Sequence, residues 1–179
     1  MKQFIIFFLG VLFAVLPVSA AHAHDSDFFV RILSDREQVY AGDSMLVSVV
    51  LYAPHPITQA EAKDNFKVSG GKCGLRPLSI NRNATAGRVR EGQQVYYTLV
   101  WAQYVVSPSS TGKYKISSVK FDATLQQTVR MPDLFDQMMG ARPEYKEISV
   151  SAKSDVFTFE VKEKPLRSTR DMMRTGTVL

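Results

Sequence analysis

Apolar residues recur at every second position through much of this chain, the spacing that places side chains on one face of a β-strand. The clearest stretch runs from Val95 to Leu125 and predicts a long aromatic strand, a polar turn over residues 107–112, and a second long strand. The residues that share a face of the first strand are Val95, Tyr97, Leu99 and Trp101, and we expect this face to be core. The pattern therefore predicts a long β-hairpin at the centre of a sheet.

The remaining residues of this stretch add two expectations. The apolar phase slips by one residue between Ile116 and Val119, which predicts a β-bulge in the second strand. Three residues share the face opposite Trp101, namely Tyr96, Val100 and Tyr104. Other parts of the fold cover them, or they are exposed and mark an interaction surface.

Shorter alternating stretches predict further strands before and after the hairpin. They lie at residues 27–34, 39–43, 44–52, 66–69, 75–81, 145–151 and 155–162, and the second of these ends in a Gly turn. Residues 59–65 fit a helical turn, and residues 85–92 fit a polar hairpin tip. Short strands separated by Gly and Pro turns, with no long helix between them, predict an all-β fold over residues 24–163, an immunoglobulin-like β-sandwich.

One short helical insertion interrupts the β pattern in the sequence PDLFDQMMG. Leu134, Phe135, Met138 and Met139 lie at helical spacing, and Gly140 is the expected end of the helix. This apolar patch either folds back over a sheet edge, which would prevent edge-to-edge pairing, or is presented to a protein partner.

The two ends of the chain have a different composition. Residues 1–23 resemble a signal peptide: Lys2 is followed by an apolar run and by small residues that offer cleavage before Ala21 or before His24. No later apolar run approaches the length of a membrane span, so we expect a soluble, periplasmic mature protein without a transmembrane segment. Residues 164–179 form a basic segment that we expect to be flexible, either solvated or used for docking.

Charge and cysteine content narrow the function further. The chain has 179 residues and a formal net charge of +5, but the basic residues are scattered, so we expect no binding to nucleic acid. Cys73 is the only cysteine, which excludes an internal disulfide. It is either a loop or edge thiol, or a reactive or intermolecular thiol whose pKa the neighbouring Lys72 lowers.

Candidate chemistry is sparse. The sequence contains no nucleophile, zinc, phosphate-binding or dinucleotide-binding motif, and its carboxylates are scattered. We therefore expect no enzyme activity, no catalytic residue and no cofactor. The alternative is a periplasmic copper-binding β-sandwich, in which cleavage before His24 frees an amine and imidazole chelate, with His55 as a second imidazole. Otherwise His24 flanks the signal and His55 is a loop residue between two prolines.

Three motifs resemble the BatD family of bacterial aerotolerance (oxygen-tolerance) proteins. They are Val39-Tyr40-x-Gly42-Asp43 before an alternating strand, Ser107-Pro108 with Gly112-Lys113-Tyr114-x-Ile116 after an aromatic strand, and the PDLFDQMMG insertion before the closing strands. Their order and spacing carry the resemblance across residues 28–163. Typical members are longer, with further β domains and a C-terminal membrane anchor, so the resemblance is to a short, single-domain form.

The resemblance implies an exported immunoglobulin-like protein that works by binding. By resemblance, its partners in the cell envelope are von Willebrand A-domain membrane proteins, in a complex tied to stress or oxygen tolerance. We expect the contacts to come from residues 131–143 and the neighbouring sheet edge, with Leu134, Phe135, Met138 and Met139 as the binding residues. A purely structural subunit, with one large oligomer interface, is a third possibility.

Overall fold

A computed structural model describes residues 28–165, and these form the predicted all-β, sandwich-like fold with one short helical insertion. The predicted signal peptide, His24 and residues 166–179 of the predicted tail lie outside this part of the chain. The strands are β1 Phe29–Ser34, β2 Val39–Tyr40, β3 Met45–Ala53, β4 Ile57–Ala62, β5 Val68–Ser69, β6 Cys73–Leu78, β7 Ala86–Glu91, β8 Gln94–Pro108, β9 Gly112–Ile116, β10 Lys120–Arg130, β11 Glu144–Lys153 and β12 Phe157–Lys162. A 3-10 helix spans Arg82–Thr85, and the α-helix α1 spans Leu134–Met138.

The strands form two layers. One layer is a five-stranded sheet with the order β1-β3-β8-β6, in which β7 pairs with another part of β8. The facing layer consists of two smaller sheets, β11-β10-β4 at one end and β2-β12-β9-β5 at the other. All neighbouring strands are antiparallel except β2 and β12, which are parallel.

Two apolar clusters fill the space between the layers. The first joins residues of the five-stranded sheet, such as Leu51, to Phe121 and Leu125 of β10. The second joins Val47 and its neighbours to Tyr114 of β9 and other residues of the smaller four-stranded sheet. Both small sheets therefore pack on the same face of the five-stranded sheet, and burial of these side chains is the main force that holds the layers together.

The chain passes three times between the two small sheets, and a serine joins two of the crossing points. The passages are β4 to β5, β9 to β10 and β11 to β12, and the serine joins the last two. Ser154 is the only buried polar side chain among residues 28–165. Its Oγ accepts a hydrogen bond from the Val119 backbone N–H at 2.9 Å, and its own N–H donates to the Val119 carbonyl at 3.0 Å. These bonds satisfy the backbone N–H and C=O of Val119 and the N–H of Ser154, which lie between the strands of the two small sheets.

The prediction of a central hairpin is wrong, although its first strand, β8, does lie within the five-stranded sheet. Strand β8 pairs with β3 along one edge and with β6 and β7 along the other, so neither edge is left for β9. The chain crosses instead to the facing layer, where β9 pairs with β12 and β5. The prediction of a bulge between Ile116 and Val119 is also wrong. These residues form the passage from β9 in one small sheet to β10 in the other.

A bulge lies in β8 and not in the second arm. The β3–β8 register shifts between Val49 and Val50, which leaves Trp101 as an extra residue in β8. After the shift, Tyr104 pairs with the inward-facing Val47 and stacks on Phe66, with ring centroids 4.2 Å apart. The prediction that Tyr104 lies opposite Trp101 is therefore wrong, because a bulge reverses the alternation of faces.

Tyr96 and Val100 do lie on the outer face of the five-stranded sheet. Tyr96 is buried there with Val50 and Tyr52, and Val100 packs against them. The guanidinium of Arg31 covers the Tyr52 ring and is paired through both nitrogens with the carboxylate of Glu91. This outer cluster is therefore closed by residues of the sheet itself.

The expected core face of β8 is only partly covered. None of its four predicted residues is fully buried, and Val95 is 44% exposed. The predicted helical turn at residues 59–65 is also wrong, because residues 57–62 form strand β4 against β10. Residues 86–91, expected in a hairpin tip, form strand β7, and the turn to β8 follows at Gly92.

Cys73 begins strand β6 at the edge of the five-stranded sheet and is half-buried. Burial raises the pKa of its thiol, and a hydrogen bond with the Ser107 backbone offsets only part of this effect. The expectation that Lys72 lowers this pKa is therefore not met, since desolvation of the thiolate dominates.

We expect Cys73 to be a slow nucleophile in the folded protein, because only the thiolate reacts. Its alkylation by iodoacetamide at neutral pH should be at least about threefold slower than that of the same thiol in urea. The measurement is mass spectrometry of quenched time points. Equal rates in folded and denatured protein would contradict the assignment.

Candidate functional site

The predicted insertion lies at the end of a ribbon that extends past the sandwich. Strand β10 pairs with β4 only as far as Leu125, whereas its pairing with β11 continues to Arg130 opposite Glu144. The ribbon has a register shift between Thr128 and Arg130, and residues 131–143 connect its two strands. We call residues 126–147 the ribbon tip.

Polar contacts within the ribbon tip shape the short helix. Asp133 is the N-cap, and its Oδ1 accepts a hydrogen bond from the Asp136 backbone N–H at 2.7 Å. The Gln137 side chain donates to the Pro132 carbonyl at 2.8 Å. At the other end, Gly140 has a φ of +92° and ends the helix. The backbone and the polar side chains thus order the segment without using its apolar side chains.

Those apolar side chains point into solvent. The exposed fractions are 77% for Leu134, 70% for Phe135, 82% for Met138 and 76% for Met139. No residue of α1 is buried, so the helix does not cover a sheet edge. Three further large apolar residues of the ribbon tip are exposed, namely Val129, Met131 and Tyr145. This concentration of exposed apolar side chains is typical of an interaction surface.

The charge of the ribbon tip is balanced. Its 22 residues contain three basic and four acidic side chains, a net charge of −1. Arg130 lies 3.8 Å from the Asp136 carboxylate, a solvent-exposed ion pair. An anionic membrane surface attracts basic segments, so this charge favours a protein partner over a lipid headgroup.

The other predicted ligand, His55, lies in the bend between β3 and β4 and is half-buried. Among residues 28–165, no cluster of three or more His, Cys, Asp or Glu side chains is arranged to hold a metal ion. His24 lies outside the described residues. In the same part of the chain, no helix is long and apolar enough to cross a membrane.

Shifted pKa values occur at exposed contacts of the sheets. The pKa of Asp122 is lowered, chiefly because the Ser151 hydroxyl donates a hydrogen bond to its carboxylate at 2.6 Å. The pKa of Lys63 is raised by its contact with Glu61. A lowered carboxyl pKa stabilises the fold above the unfolded-state pKa, and this contribution is lost as the pH falls through the folded-state pKa.

Sequence reasoning missed a second surface, which lies between the layers. It is a cleft of about 710 Å³ between β4 and the segment that contains the 3-10 helix and β7. Trp101 lines it, and Arg82 lies over the Trp101 ring. Arg88 and Arg90 are two residues apart, and this spacing would have placed them on one face if residues 86–91 had been assigned to a strand.

No protein-family model, curated protein or solved structure matches this chain. The resemblance to the BatD family therefore stays a prediction that rests on the order and spacing of three motifs.

Proposed function

We propose that this protein is an exported, non-enzymatic binding protein of the bacterial envelope, of the BatD type, which contacts another protein through the ribbon tip. The observation that carries the proposal is the exposure of Leu134, Phe135, Met138 and Met139 at the end of a projecting ribbon. The partner class follows from the resemblance alone: a membrane protein with a von Willebrand A domain.

The energetics of the ribbon tip support binding. Burial of apolar surface stabilises a complex by roughly 25 cal/mol per Å², and aromatic and methionine side chains are common at the centres of interfaces. Because the helix is capped at Asp133 and stopped at Gly140, little further ordering is needed when a partner binds. Phe135 is the expected anchor, and the methionines adapt to the surface around it.

Envelope extracts provide the test. The double variant Phe135→Asp/Met138→Asp should recover the A-domain protein at least about tenfold less well than the unaltered protein, because charged groups would have to be buried in an apolar contact. Capture on immobilised protein followed by mass spectrometry measures the recovery.

Val156→Asp is the matched control, since Val156 is also an exposed apolar residue but lies between β11 and β12. It should leave recovery unchanged. The proposal is wrong if the tip variant keeps the unfolding midpoint of the unaltered protein and captures the A-domain protein equally well. A purely structural subunit, with one large oligomer interface, would instead sediment as a stable oligomer in analytical ultracentrifugation.

A further inference from the structure

The two layers contain unequal numbers of strands at one end of the sandwich. At the end of the small four-stranded sheet, β1, β3, β8 and β6 face β2, β12, β9 and β5. At the ribbon end, β1, β3, β8 and β7 face only β11, β10 and β4. Since β1 lies against β11 on one side, the position without a facing strand is on the other side, next to β4 and below β7.

This unequal pairing explains why the predicted core face of β8 is only partly covered. Leu99 and Trp101 line the cleft from one layer, and Ile57 and Ala60 line it from the other. Ala86 pairs with Leu99, so it shares the inner face of its sheet, yet it is exposed. The cleft of about 710 Å³ thus reaches from the vacant position beside β4 to residues of β10 and β11, such as Ala123 and Val150.

The edge of the facing layer is free at this place. Within residues 28–165, β4 pairs only with β10. The register shifts at Thr58, and Gln59–Ala62 then form a regular edge. Such an edge presents backbone N–H and C=O groups that an added strand can pair with.

The overhanging sheet is basic on its inner face. Arg88 and Arg90 pair with Tyr97 and Val95, so they point to the same side as these residues. The Arg88 guanidinium lies 4.6 Å from the centroid of the Tyr97 ring. Neither arginine forms an ion pair with a carboxylate in the described part of the chain.

Arg82 extends this basic surface to the mouth of the cleft. Its guanidinium lies 3.8 Å from the centroid of the Trp101 ring, and its Nε donates to the Trp101 carbonyl at 3.1 Å. The same described residues provide no acidic partner for it, in contrast to Arg31, which is paired with Glu91. Arg82 thus lines the cleft, and Arg88 and Arg90 lie on the inner face of β7, all three without acidic partners among residues 28–165. Two carboxylates, Glu61 and Asp122, also line the cleft, and both form ion pairs with Lys63.

We infer that the vacant position beside β4, which we call the strand slot, binds an extended acidic peptide segment of another protein. The peptide adds to β4 as a fourth strand of this sheet. The strand slot consists of the Gln59–Ala62 edge, the Leu99 and Trp101 side chains, and Arg82, Arg88 and Arg90. Side chains at alternate positions of the added strand point inward, where an apolar one meets Trp101 and acidic ones meet the arginines. The backbone groups of β4 favour a peptide over a nucleic acid, which cannot continue a β-ladder.

A designed peptide tests the strand slot. The fluorescein-labelled probe Thr-Glu-Thr-Val-Thr-Glu-Thr has the same inward pattern in either strand direction. Its binding, measured by fluorescence anisotropy, should weaken as salt is added, because the contacts are ionic and exposed. The peptide with lysine in place of both glutamates should bind at least about tenfold more weakly.

Charge reversal locates the site. Arg88→Glu and Arg90→Glu should each weaken probe binding about tenfold, since each replaces an attraction by a repulsion. Arg142→Glu, the same change on the ribbon tip, should leave binding unaltered, as should Phe135→Asp/Met138→Asp. These controls separate a failure of the strand slot from a failure of the proposed function.

Hydrogen exchange tests the strand addition itself. Amides in Gln59–Ala62 that point away from β10 should become protected when the probe is saturating. The inference is overturned by any one of four results: no binding at about 1 mM peptide, equal binding of the lysine peptide, unchanged exchange in β4, or tighter binding of a seven-nucleotide oligothymidylate than of the acidic probe.

Discussion

Replacement of Phe121 by alanine is expected to lower the free energy of unfolding by about 3–5 kcal/mol. Phe121 is 1% exposed and lies in the cluster that joins the five-stranded sheet to β10. Its ring makes an edge contact with Trp101 at 5.7 Å between centroids. The substitution removes this contact and leaves a cavity between the layers, and both losses lower stability. Urea unfolding, followed by tryptophan fluorescence and circular dichroism, measures the change.

Phe135→Ala is the matched control, because it removes the same side chain from a residue that is 70% exposed. Its effect on the free energy of unfolding should stay within about 0.5 kcal/mol. The two variants should therefore affect different properties. Phe121→Ala lowers the free energy of unfolding, whereas Phe135→Ala weakens partner capture. Similar losses of stability would contradict the assignment of Phe121 to the core and of Phe135 to the surface.

Replacement of Gly70 by alanine is expected to lower the free energy of unfolding by at least about 2 kcal/mol. Gly70 has a φ of +116°, a conformation that side chains disfavour. An added Cβ would also collide with the Lys113 carbonyl oxygen and lie 2.9 Å from the Tyr114 Cα. Both atoms belong to the backbone of β9, so the collision is relieved only by separating β5 from β9.

Gly112→Ala separates the two causes of this loss. Gly112 has a similar φ of +136°, but no atom lies within 4 Å of an added Cβ. It should therefore show the cost of the backbone conformation alone, and the difference between the two variants is the cost of the close approach. If Gly112→Ala is as destabilising as Gly70→Ala in thermal and urea unfolding, the close approach contributes nothing.

Much of the fold could be predicted because β-strands have a local signature. Strand β3 alternates between an inner face with Val47 and an outer face with Val50, and both of these residues are buried. The helix of the ribbon tip was predictable for a similar reason. Asp133, the helical spacing of Leu134 and Met138, and Gly140 encode its start, its face and its end within eight residues.

Strand pairing was not predictable in the same way. A polar turn between two alternating stretches fits a hairpin, but it fits a crossing between layers equally well, because the local sequence does not encode which edge of β8 is free. Both edges are already occupied by β3, β6 and β7, strands that come from earlier in the chain. The helical turn expected at residues 59–65 was wrong for a related reason, since β4 is held in place by its pairing with β10.

The candidate sites divide along the same line. The ribbon tip is encoded locally, because capping, helical spacing and a run of apolar residues all lie within one segment of the sequence. Its exposure, however, depends on where β4 ends relative to β10. The strand slot has no local signature, since β4 is separated in sequence from Arg82, β7 and β8, which form the rest of it.

The amino-acid sequence alone is sufficient for the all-β class, the short helical insertion and most strand positions, because alternation, capping and turn residues act over a few neighbours. The assignment of β8 and β9 to opposite layers requires the tertiary structure, as does the reversal of faces at Trp101. The partial exposure of the Val95–Trp101 face also depends on the tertiary structure. An alternating stretch shows which side chains share a face, but only the number of strands packed against that face determines whether it is core or a surface for a partner.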